Sequence, residues 1–159
     1  MERWYRVFGT RDAGIEPAAL LSALSGHVGH QVTGRFRGDE LGWFEGELGL
    51  RGTRLELQRY LAAEDDLRDE LNTWAAWLES QEDQAESPRL MRHMIATAQL
   101  FAFRLADRVA HEDAYLIEEL CTGLCQLLAR ATDGIYQLDG KGFFDADGML
   151  LVAENENPG

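Results

Sequence analysis

The sequence predicts an α+β protein, an antiparallel sheet carrying about three helices, and three observations predict it. Short apolar runs alternate with turn residues between Gln31 and Leu61, the pattern of a strand meander. Two segments, Leu67–Leu78 and Ile117–Leu128, repeat apolar residues at helical spacing. Three Asp-Gly pairs, 133–134, 139–140 and 147–148, mark tight reversals in the last part of the chain.

The elements follow in order. Trp4, Arg6 and Phe8 alternate with Tyr5 and Val7, so residues 3–8 are a strand. Pro17 opens a helix with Leu20, Leu21 and Leu24 on one stripe, and Gly26 lies beyond its end. Strands are expected over 31–37, 42–49 and 54–61, separated by Gly38-Asp39-Glu40 and Arg51-Gly52-Thr53. The helix through Leu67, Leu71, Trp74 and Leu78 has Glu64, Asp65 and Asp66 at its positive N-terminal end. A polar loop, 81–88, follows inside the domain. Residues 89–105 fit both periods; a short helical start from Ser87-Pro88 and then a strand from about 94 to 104 is the preferred reading. The last helix covers roughly 112–131, and a C-terminal hairpin closes the chain. Over residues 3–105 this order resembles a ferredoxin-like unit with an added strand. The resemblance is one of topology and implies no function.

With 159 residues and 45% apolar composition, residues 1–159 suit a single domain, which at this size buries about 70% of its unfolded surface. No apolar run approaches the ~20 residues of a membrane span, so no membrane association is expected and a cytoplasmic location is. Residues 1–60 carry eight arginines and eight acids, so the whole formal charge of −13 falls on residues 61–159. Such a field repels phosphate backbones and draws in basic proteins. Direct nucleic-acid binding through the second part is therefore not expected, and a basic protein partner is. Oligomeric state is not legible.

Residues 143–154 approach a calcium loop: Asp145, Asp147, Gly148, Leu150 and Glu154 fit, but Phe143 stands where the first oxygen ligand belongs. The segment reads instead as a hairpin closed by Asp145-Ala146-Asp147-Gly148. His27 and His30, and His111-Glu112-Asp113, have weak metal-ligand spacing, and no metal or cofactor is expected. Cys121 and Cys125 fall on the leucine stripe of the last helix and read as core. No nucleophile, phosphate-loop or dinucleotide motif is present, so no catalytic residue is assigned.

Two surfaces are candidates. Trp43 and Trp77 are tryptophans beyond what the stripes require, and either, ringed by acids, would anchor a partner. Arg6, Arg35, Arg37 and Arg59 would together line a sheet face as an anion pocket. The leading function is thus a non-catalytic protein-binding or regulatory module whose acidic second part meets a basic partner. The alternative is a small-molecule or anion-binding protein, or an enzyme, using the arginine face.

Overall fold

Eight antiparallel strands form one open sheet in the order β2-β3-β4-β5-β1-β6-β7-β8. The computed structural model describes residues 3–81 and 83–154. In chain order the elements are β1 (Tyr5–Gly9), α1 (Pro17–Val28), β2 (Thr33–Asp39), β3 (Gly42–Leu50), β4 (Thr53–Leu61), α2 (Arg68–Glu79), α3 (Ser87–Ala96), β5 (Gln99–Leu105), a 3-10 turn (His111–Asp113), α4 (Ala114–Ala131), β6 (Ile135–Leu138), β7 (Gly142–Phe144) and β8 (Leu150–Ala153).

Strand alternation divides the core into two layers. Tyr5, Val7, Leu55, Leu57, Phe101 and Phe103 point to one face, where Leu20 and Leu24 of α1 and the Ile117–Leu128 stripe of α4 cover them. Phe8, Leu100, Ile135, Phe143 and Val152 point to the other, under Leu71 and Leu78 of α2 and Leu90 and Met94 of α3. Helices on both faces make a three-layer arrangement. The strands in the middle lose their polar face as a result: Gln99 to Phe103 of β5 are all buried.

The α+β class, the antiparallel sheet and the final hairpin are present, and two finer expectations need correction. Four helices and a 3-10 turn replace the expected three, because α3 runs a full ten residues, Ser87–Ala96, and β5 begins only at Gln99. The alternation that suggested a strand from 94 starts on the helix, whose Ile95 is 62% exposed. The ferredoxin-like topology also fails. A split β-α-β unit holds one strand between its first two, whereas here β3, β4 and β5 all lie between β1 and β2. β1 instead pairs antiparallel with both β5 and β6.

Candidate functional site

Antiparallel order places the β1–α1 loop (10–16), the β2–β3 turn (39–41) and the β4–α2 loop (62–67) at the same end of the sheet, since β1, β2 and β4 all finish there. These loops hold Asp12, Glu16, Asp39, Glu40, Glu64, Asp65 and Asp66, seven carboxylates, against the single arginine Arg11. Glu40, Glu64 and Asp66 have no ion pair among the described residues. At the opposite end charges cancel in pairs, Arg51 with Asp113 and Arg54 with Asp107, each at 2.9 Å. The acidity is thus sorted by the ends of the sheet rather than by the two parts of the sequence: Asp12, Asp39 and Glu40 come from the formally neutral first part.

Arg59 is the cation beneath this end. It shares the inward parity of Leu55 and Leu57, and only 8% of the residue is exposed. Its Nη1 donates to the carbonyls of Leu41 (3.2 Å) and Trp43 (3.0 Å), and its Nε donates to Gln99 Oε1 (2.8 Å). Gln99 Nε2 in turn donates to the carbonyls of Arg11 (2.7 Å) and Ala13 (3.2 Å). One buried guanidinium therefore ties the β2–β3 turn to the β1–α1 loop. Burial lowers its pKa, while Asp12, Asp39 and Asp65 act in the other direction. Two of those acids also close turns: Asp39 Oδ1 accepts from Leu41 N–H at 2.9 Å and Asp65 Oδ2 from Leu61 N–H at 2.8 Å. Asp12 Oδ1 lies 3.8 Å from Arg59 Nη2 and is otherwise solvated.

The four arginines of the expected anion pocket are not brought together. Arg59 is on the α1/α4 side. Arg35, Arg37 and Arg6 share the other face, where one row runs Arg37, Glu45, Gln58, Ala102, Arg6 across five strands. Four strand spacings put Arg6 roughly 19 Å from Arg37. Each of the three already holds a carboxylate: Arg35 with Glu47 at 3.0 Å, Arg37 with Glu45 at 2.9 Å, Arg6 with Asp139 at 2.7 Å. The Arg6 guanidinium also lies over the rings of Trp4 (5.9 Å) and Trp74 (5.2 Å).

Of the two candidate anchor tryptophans, Trp43 is 6% exposed. Its indole N–H donates to the Ile15 carbonyl at 2.9 Å, and its ring packs on Phe36 and Phe101. It is core and offers no ring to a partner. Trp77 is half-buried against Phe143 and Trp74. A large apolar side chain that does stand out is Leu41, 48% exposed on the acidic β2–β3 turn.

The remaining motifs resolve as structure. Asp145 Oδ1 accepts from the N–H groups of Asp147 and Met149, both at 2.9 Å, so this carboxylate closes the β7–β8 hairpin. Glu154 is turned away from the loop, accepting from Gln137 Nε2 at 2.6 Å and Gly140 N–H at 3.0 Å. His27 packs over Gly123 of α4 and faces Glu119 at 3.7 Å. Cys121 and Cys125 are fully buried. Among the described residues no group of three His, Cys, Asp or Glu side chains converges on a metal position, and no helix is long and apolar enough to cross a membrane. Comparison with protein-family models, curated proteins and solved structures finds no match.

Sequence reasoning missed Asp12 and Leu41 as members of this site. Their turns were legible, but their shared end depends on strand order, which no local pattern encodes.

Proposed function

We propose that the chain is a non-catalytic protein-binding module that receives a basic partner on the acidic end of its sheet. The observation that carries this reading is the seven-to-one excess of carboxylates over arginine on three adjoining loops. Such an end attracts a cationic surface over the roughly 10 Å screening length of 0.1 M salt. The anion-binding alternative has less support, because Arg6, Arg35 and Arg37 each hold an acid and Arg59 is spent on carbonyls. A cytoplasmic setting fits the two cysteines, which are free thiols. The test is a pull-down from native lysate at low salt, comparing the wild type with the triple variant Glu40→Gln, Glu64→Gln, Asp66→Asn. A basic protein should be retained by the wild type, released by 0.5 M salt and largely lost by the variant. Equal retention by both would place the partner elsewhere.

A further inference from the structure

Beside the Arg59-braced turn lies a hollow of about 270 Å³ lined by Leu41, Leu61, Ala62 and Ala98 together with the exposed acids Asp12 and Glu64. We infer that this hollow takes the side chain of one lysine or arginine from the basic partner, with the aliphatic stem along Leu41 and the cation between Asp12 and Glu64. The inference rests on the proposed reading of the acidic end and names what that end grips.

Size and chemistry select the occupant. At about 270 Å³ the hollow lies at the small end of the range for ligand pockets and has room for one long side chain. An anion would meet two carboxylates. A neutral apolar group would desolvate them without return. A long basic side chain satisfies both parts, because its methylenes cover apolar surface while its head stays with the charges.

The hollow is held open before anything binds. Leu41 is fixed from both sides, its N–H on Asp39 Oδ1 at 2.9 Å and its carbonyl on Arg59 Nη1 at 3.2 Å. On the other wall, Ala62 N–H donates to the Ala98 carbonyl at 2.8 Å. The exposure of Leu41 is therefore built into a braced turn, whose backbone is already ordered before a partner arrives. Asp12 sits beyond hydrogen-bond distance of Arg59, at 3.8 Å, with its oxygens still able to accept.

Calorimetric titration with two probes tests this: deca-lysine, and a charge-matched decamer of 2,4-diaminobutyrate at pH 6, whose side chains are two methylenes shorter. Leu41→Ser should weaken deca-lysine about fivefold by removing apolar wall and leave the diaminobutyrate decamer unchanged. The double variant Asp12→Asn, Glu64→Gln addresses the two acids at exposed positions and should cost deca-lysine more than the shorter probe. Glu40→Gln, outside the hollow, should weaken both equally. If both decamers bind in a salt-sensitive way and the hollow variants affect them alike, or not at all, the hollow is not the grip, while the acidic-end reading stands. If neither decamer binds at low salt, both ideas fall.

Discussion

The side-chain amide of Gln84 engages both backbone groups of Ala153, its Nε2 donating to the carbonyl at 3.0 Å and its Oε1 accepting from the N–H at 3.1 Å. A glutamine from the α2–α3 loop thus completes part of the ladder that the edge strand β8 would otherwise leave open. Removing it with Gln84→Ala should cost roughly 1–2 kcal/mol, two net hydrogen bonds. It should also speed amide exchange at Ala153 selectively over β1 and β5. Unchanged exchange at Ala153 would show that the amide holds nothing.

His93 gives the fold a defined response to acid. Its Nε2 lies 2.8 Å from the Phe8 carbonyl, which makes Nε2 the protonated nitrogen. Burial lowers its pKa; the Phe8 carbonyl opposes that shift and Arg89 adds to it. With the folded value below the unfolded value of about 6.5, the unfolded chain takes up protons first. This contribution to stability is complete above about pH 6.5 and is lost as pH falls from there through the folded pKa. Denaturant unfolding at pH 7 and pH 5 should show a larger drop for the wild type than for His93→Gln, which keeps a donor for Phe8. Equal drops would assign the acid response to other groups.

The two thiols should be silent in the native protein. Burial pushes Cys121 up to about 12 and raises Cys125 well above its ordinary value. At pH 8 almost no thiolate is present, and neither sulfur reaches solvent. A maleimide or disulfide reagent should label both only after denaturant is added. Rapid labelling of either one in the folded state would take it out of the α4 core.

Asp145→Ala should loosen the β7–β8 hairpin by about 1 kcal/mol, through loss of the carboxylate that accepts two backbone N–H groups. Added calcium should leave the thermal midpoint of the wild type where it was at micromolar concentrations. A rise that vanishes in Asp145→Ala would identify an ion site in place of a turn cap.

What was legible in the sequence was local. Strands expected over 42–49 and 54–61 are observed over 42–50 and 53–61, and the 67–78 helix as Arg68–Glu79, because each is set by its own period and its flanking turns. Trp43 shows where that method ends. The β2–β3 register steps from Arg37 opposite Glu45 to Gly38 opposite Trp43, leaving Phe44 as an extra residue. The bulge turns Trp43 to the same side as Leu48 and Leu50 despite its odd spacing from them, so simple alternation misassigns it. The parity of Arg59 with Leu55 and Leu57 was readable and pointed inward, away from Arg35 and Arg37. The meeting of Asp12, Leu41 and Glu64 was not readable, because it follows from long-range strand order.

The central position of β1 sets a schedule for the chain as it is made. Tyr5 pairs with Phe103 on one side and Leu138 on the other, so β1, made before every other strand of this sheet, has neither neighbour until roughly 100 further residues exist. At about 5–20 residues per second that interval is roughly 5–20 s. During it, Tyr5, Val7 and Phe8 have no sheet to enter, while the β2–β3–β4 meander, closed by its own short turns, can already pair. The expected order is therefore pairing within β2–β3–β4 first, insertion of β1 once β5 and β6 exist, and addition of β7 and β8 at the far edge last.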